Sequence, residues 1–489
     1  MTDLILVLDA GTTSTRAMAF ARDGEIRAVS QCEITQHYPR PGWVEHDAQE
    51  IWEATLGCAR ECIGKSGGAQ AFAAIGITNQ RETVVAWDRT SGEPLARAIV
   101  WQDRRTAEFC DTLRAADHEP AVQQATGLLL DPYFSATKMR WLLDNSGEVA
   151  AAAQTGALAF GTVESWLVWK LTSGTHISDA SNASRTLLLA LGGAQFDEGL
   201  CSLFGIPYAA LPQVTDCAGD FGTTAPGLFD IPLPIRGLAG DQQAATVGQG
   251  CNAPGEVKAT YGTGAFVLAN MGSALPRSHH RLLGTVLTQL GGQRTYALEG
   301  SVFVAGSLVK WLRDSLGVIA SAAETAALAA SVPDTGGVVL VPALSGLGAP
   351  HWRPEARAAL TGMSFATTRA HLARAALEAT ANSTRDLMDA FAADGAPWAN
   401  LRIDGGMSAN DWLAQDLANI LAVPVERPEM VETTALGAAM LAALGSGWFA
   451  GLDEAAAAMR GPVVGFEPKM DAAVRDARLG VWREAVSKV

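Results

Sequence analysis

The chain has 489 residues, more than one compact core holds, because cores divide somewhere below about 300 residues, so two large domains are expected. Hydrophobic residues make up 48% of it and charged residues only 18%, a balance that supplies ample apolar surface to bury and excludes extended disorder. With 36 Lys and Arg against 51 Asp and Glu, the net charge is -15, and no basic run offsets it, which argues against a nucleic-acid or anionic-membrane surface.

The apolar run Leu4 to Leu8 is cut off by Asp9 and a Gly-Thr stretch, which fits neither a signal peptide nor a membrane span. Ala17 to Phe20 and Glu25 to Val29 flank Asp23-Gly24 with strand-forming residues, predicting a small antiparallel sheet that opens the fold. Cys58 and Cys62 fall on one face of a predicted helix. They belong to seven scattered cysteines, with Cys32, Cys110, Cys201, Cys217 and Cys251, that form no CxxC pair. Reduced thiols in a cytoplasmic protein are expected, and with no second ligand pair nearby, buried thiols rather than a metal clasp. Gly64-Lys65-Ser66 imitates the end of a phosphate loop, but Ala59 takes the place of its first glycine and the preceding segment reads as helix. Val338 to Val341 reads as a buried strand and Leu372 to Phe391 has helical spacing, so the class is α/β.

Three times an apolar strand runs into a Gly-rich polar turn. The first turn is Asp9 to Thr13, the second, after Val257, is Thr260 to Gly264, and the third, after Leu401 to Ile403, is Asp404-Gly405-Gly406. Such turns bring backbone N–H groups close to phosphate oxygens without side-chain obstruction. One alone is an ordinary tight turn. Three, split between the two halves of the chain, point to a nucleotide gripped between them.

Two spaced patterns carry a family resemblance: Tyr133 through Lys138 with Trp141 and Asn145, and Gly362 through His371 with Ala375 and Glu378. Together with the turns they make the chain resemble the FGGY carbohydrate kinases, of the actin, Hsp70 and hexokinase superfamily, to about residue 447. Gly42 to Asp47, Asn79 to Thr83, Trp101 to Arg105, Gly240 to Gln243, Tyr296 to Gly300 and Trp311 to Asp314 are most similar to the members that act on glycerol. The resemblance implies a two-domain, ribonuclease H-like fold with a cleft between residues 1–245 and residues 246–489. It implies transfer of the γ-phosphoryl group of ATP to glycerol with Mg2+, in a homodimer or homotetramer.

Phosphoryl transfer needs a positioned hydroxyl, one base and neutralisation of developing charge. In the resemblance Asp241 is that base, and Asp9 holds Mg2+ through oxygen and water. Thr12, Thr13, Ser14 and Arg16 form the first phosphate loop, and Gly262, Thr263 and Gly264 the second. Gly306, Gly406 and Asn410 are nucleotide contacts. A polyol needs paired polar groups opposite apolar walls; Arg81, Glu82, Tyr133 and Gln242 supply the first, Trp101 and Phe266 the second. A helix-capping aspartate is the ordinary alternative for Asp241, an exposed ion pair for Arg81 and Glu82, and plain core for the aromatics. Departures from the family pattern are Ala10, Ala265, His351 and Arg353. The Gly-Lys-Arg loop with which some members bind an inhibitory sugar bisphosphate is missing between Cys217 and Ile235, so no such regulation is expected. Two rivals remain: a relative acting on erythritol, ribulose or xylulose, and an ATP-driven conformational binder of the actin or Hsp70 type.

Overall fold

The first apolar run forms β1 (Leu4–Ala10), which turns back at residues 11–13 into β2 (Ser14–Ala21) and then β3 (Ile26–Glu33), the antiparallel opening expected from the strand-forming residues around Asp23-Gly24. The computed structural model describes residues 3–353 and 355–489. After α1 (Ala48–Lys65), whose N-terminal amides at Gln49 and Glu50 are capped by the Asp47 carboxylate, come β4 (Phe72–Asn79) and β5 (Ile235–Gly240), both parallel to β1. The five strands lie in the order β5-β4-β1-β2-β3. Cys58 and Cys62 are buried under this sheet, and all seven cysteines are free.

From the end of β5 the chain enters α2 (Asp241–Gly248) and then builds a second sheet. Its strands are β6 (Val257–Tyr261), β7 (Ala265–Gly272), β8 (Leu283–Leu290), β9 (Gln293–Val302), β10 (Leu401–Asp404), β11 (Val425–Pro428) and β12 (Val463–Phe466). They lie in the order β8-β9-β7-β6-β10-β11-β12, with β6 and β10 parallel. Among the helices of the second half are α3 (Gly306–Asp314), α4 (Arg369–Ala393), α5 (Asp411–Leu421), α6 (Thr433–Gly445) and α7 (Ala472–Ser487). Each sheet thus joins antiparallel strands from its first part to parallel strands that follow, and β12 closes the second sheet antiparallel to β11.

The two sheets keep to separate stretches of chain, yet the cores are shared. Leu283, Val286 and Tyr296 of the β8-β9 hairpin sit in one apolar cluster with Phe134, Phe160 and Leu187. Helix α6 is apolar all round and packs on Ile5, Val7 and Phe20 of the first sheet. It also lies directly on α2, because Gly437 and Gly248 bring the backbones together: a Cβ at Gly437 would stand 1.8 Å from the Ala244 carbonyl oxygen, and one at Gly248 2.0 Å from that of Thr433. That contact fixes the helix that begins with Asp241. The C-terminal stretch, unassigned by sequence, supplies edge strand β12 and helix α7, where Trp482 is buried and Arg478 makes a bidentate pair with Asp416 at 2.6 and 2.8 Å.

Candidate active site

Parallel pairing places the ends of β1, β4 and β5 side by side, with Ala10 opposite Asn79 and Asn79 opposite Gly240. The residues just before or after those ends, Asp9, Arg81 with Glu82, and Asp241, therefore converge at one edge, where α/β sheets hold their ligands. The same logic operates in the second sheet: Thr260 pairs with Asp404, so the turns Gly262–Gly264 and Gly405–Gly406 leave the sheet together. Gly262 and Gly406 open onto free space, since a Cβ on Gly406 would meet nothing within 4 Å and one on Gly262 only an oxygen at 3.9 Å. A ligand group can therefore approach the backbone there without meeting a side chain.

At the first turn, Asp9 is buried and its Oδ2 accepts from Arg16 at 2.5 Å. The other arm of Arg16 meets Glu432, at the head of α6, at 2.6 Å, so this guanidinium, expected from the resemblance in the first phosphate loop, spans two carboxylates. Among the described residues no cluster of three His, Cys, Asp or Glu exists that could enclose a metal. The donor set fits Mg2+ all the same, because that ion takes one or two carboxylates and fills its octahedron with water and phosphate oxygens. Asp9 would hold it, close enough to Asp241 for its charge to raise the Asp241 pKa, and the bound ion would neutralise phosphate charge.

Asp241 is the first residue of α2, following the N-cap Gly240, and its Oδ1 accepts from the Gln242 amide at 2.7 Å. Its side chain is 33% exposed, and Arg81 Nε stands 3.4 Å from Oδ1. Burial raises its pKa above the usual aspartate range, against the pull of Arg81, Lys258 and the Gln242 N–H. A carboxylate that is proton-hungry yet open to the cleft has the character of a general base.

Arg81 and Glu82 are not an exposed pair but are 2% and 1% exposed, and Glu82 takes a left-handed backbone with φ 61°, a strain that clusters at functional sites. Arg81 donates to Tyr133 Oη at 3.2 Å, and Tyr133 meets Trp101 edge-on, with ring centroids 5.7 Å apart and Phe266 beyond at 6.4 Å from Trp101. Through Tyr133 the predicted Arg81 and the predicted walls thus form one chain of contacts. Gln242 has its Oε1 occupied by Lys258 Nζ at 2.6 Å, which leaves its amide N–H groups to a ligand.

The other residues expected at the nucleotide are more engaged with protein than sequence suggested. The Thr263 carbonyl accepts from the amides of Ala305 and Ser307, and Gly306 N donates to Gly262 O at 2.9 Å, so α3 is hung from the second turn. Asn410 caps α5, accepting from Leu413 N at 3.0 Å, while its Nδ2 donates to Thr325. Its side chain is held by these contacts rather than pointing free.

Sequence reasoning gave no role to Glu299, Arg185, Gln243 or Lys258, all buried beneath Arg81. Glu299 accepts from Arg81 at 2.6 and 3.2 Å and from Arg185 at 2.9 Å, and Arg185 Nε donates to Glu82 at 2.7 Å. Burial alone would push the Glu299 carboxyl up, but Arg185 and Arg81 outweigh it and hold it at about 2. The available signal was a charged residue inside an apolar strand, as Glu299 is in β9 and Lys258 in β6.

Models of the FGGY family of carbohydrate kinases match the chain, the N-terminal domain over residues 4–248 and the C-terminal domain over residues 257–446. The chain is 54% identical over 495 residues to a glycerol kinase of Methylobacterium nodulans, covering 99% of this chain and 98% of that one. It is equally identical over 488 residues to one of Rhodospirillum rubrum, with the same coverage. Among solved structures, the glycerol kinase of Plasmodium falciparum with ADP superposes with a TM-score of 0.94 at 35% identity, covering 100% of this chain and 98% of that one.

Proposed function

The chain belongs to the FGGY family of carbohydrate kinases, and from that membership we propose that its cleft phosphorylates glycerol with ATP, Asp241 acting as the base. The chain is a kinase, with ATP and Mg2+ as its nucleotide and metal. The observation that carries the acceptor assignment is the 3.4 Å approach of Arg81 to Asp241, with Tyr133 beside it and Trp101 and Phe266 as the apolar wall. Glycerol offers hydroxyls on one side and C–H groups on the other, which matches that division.

In this reading Arg81 donates to one secondary or terminal hydroxyl, Glu82 accepts from its neighbour, and Tyr133 and Gln242 add further bonds. The attacking primary hydroxyl faces Asp241. As its oxygen bonds to the γ-phosphorus, its proton passes to the Asp241 carboxylate, and the bond from phosphorus to the β-γ bridging oxygen breaks to give ADP and sn-glycerol 3-phosphate. The amides of residues 11–14 and 262–264 hold the phosphates, with Gly306, Gly406 and Asn410 framing the nucleoside. Mg2+ at Asp9 supplies charge neutralisation.

The test is a steady-state assay over glycerol, erythritol, ribulose and xylulose. Glycerol should show the highest kcat/KM; a higher value for any other acceptor displaces the assignment, and ATP turnover indifferent to all acceptors favours a conformational ATPase.

Self-association as a homodimer or homotetramer is supported by Phe365, fully exposed, and Met363, 56% exposed, on one loop; sedimentation of a single monomeric species would end it. A cytoplasmic location is supported by seven free cysteines, six of them buried. No described helix is long and apolar enough to cross a membrane.

A further inference from the structure

We propose that Glu299 is a positioning residue for the acceptor pocket, a carboxylate that reaches from the second sheet to clamp Arg81 so that its guanidinium serves the polyol and leaves Asp241 free. The inference rests on the kinase reading above. Arg81, Glu82 and Arg185 come from the first half of the chain and Glu299 from β9 of the second, so the clamp joins the halves at the pocket.

Glu299 has 0% exposure and acts on any ligand only through its partners. Its Oε2 takes Arg81 Nη1 at 2.6 Å, and its Oε1 takes Arg81 Nη2 at 3.2 Å and Arg185 Nη2 at 2.9 Å. A two-pronged carboxylate fixes the plane of a guanidinium as a single contact cannot. With both terminal nitrogens of Arg81 held from behind, Nε is the nitrogen that remains beside Asp241, and its 3.4 Å separation exceeds that of a tight ion pair.

The charges make the same point. Arg81 and Arg185 are balanced by Glu82 and Glu299 within the cluster. Without Glu299 the two cations lack one counter-charge, and the nearest substitutes for Arg81 are Glu82, 3.7 Å from its Nε, and Asp241. A guanidinium drawn onto Asp241 gives up its polyol contact and pairs with the base.

Glu299→Gln keeps the size of the side chain and removes the charge. The expected result is a KM for glycerol raised at least tenfold, with the KM for ATP and the affinity for ADP within twofold of the parent, while Glu299→Asp, which keeps the charge on a shorter arm, recovers part of the loss. If the single variant does not fold, Glu299→Gln combined with Arg185→Met removes one charge of each sign, and the same comparison is made on that protein. Equal rises in both KM values, or an unchanged KM for glycerol, overturn the clamp. A parent enzyme without glycerol turnover would overturn instead the reading of the reaction, and the two failures are told apart in one experiment.

Discussion

The indole Nε1 of Trp101 donates a hydrogen bond of 2.9 Å to the hydroxyl of Thr12, which ties an apolar wall of the acceptor pocket to the first phosphate turn. In the proposed reaction one side chain thereby serves both substrates. A neutral hydrogen bond of this kind contributes about 1 kcal/mol, so Trp101→Phe, which keeps a ring and deletes the donor, should lower kcat/KM roughly fivefold. Thr12→Val should cost about the same, and the double variant should cost less than the sum, because contacting residues couple. A double-mutant cycle on kcat/KM measures this; strict additivity would mean that the bond does not link the two substrates.

Asp241→Asn should lower kcat by a factor of about 10² to 10⁴, the range a positioned base provides, while ADP binding measured by calorimetry is retained. Substantial remaining turnover would place the base elsewhere.

Because the base works only when ionised and burial raises its pKa, activity should fall as pH drops through a value above the ordinary aspartate range. Arg81 pulls that value down, so Arg81→Met should move the acid limb of kcat/KM to higher pH as well as raise the KM for glycerol. A limb unmoved in the variant would contradict the electrostatic assignment.

Two adjacent glycines make opposite predictions. Gly405 has φ 85°, and a Cβ there would stand 2.6 Å from the Tyr261 carbonyl oxygen, so Gly405→Ala should destabilise the protein by about 1–3 kcal/mol, visible as a lowered Tm. At Gly406 a Cβ meets no protein atom within 4 Å. Gly406→Ala should therefore leave Tm unchanged and raise the KM for ATP, because the methyl group enters space reserved for ligand. A Tm loss at both positions would make the turn purely structural.

The segment from Cys217 to Ile235 carries Asp220 and Asp230 and no Lys, Arg or His. Sugar bisphosphates are polyanions that need cationic partners, so fructose 1,6-bisphosphate at physiological concentration should leave the rate unchanged, and strong inhibition would show that another surface binds it.

Local chemistry made much of this protein legible from sequence alone. The opening meander follows from strand-forming residues around Asp23-Gly24, the long helix α4 from the spacing between Leu372 and Phe391, and the three strand-to-glycine turns from the types of residue that end each strand. These are short-range effects: a period, a cap or a missing Cβ acts within a few positions. The candidate Arg81, Glu82, Trp101, Tyr133 and Phe266 were also readable, though only as a pattern, since nothing local distinguishes a pocket wall from core.

What tertiary structure alone decided is which charges meet. Arg81 and Glu299 are 218 positions apart and Arg16 and Glu432 are 416 apart, and no rule of spacing joins them. Their pairing depends on where α6 and the β8-β9 hairpin cross from the second half to the first. Burial then changes the meaning of each charge: removed from water, a carboxylate or guanidinium must find its partner in the fold, and the identity of that partner determines whether Asp9 and Asp241 are left for chemistry.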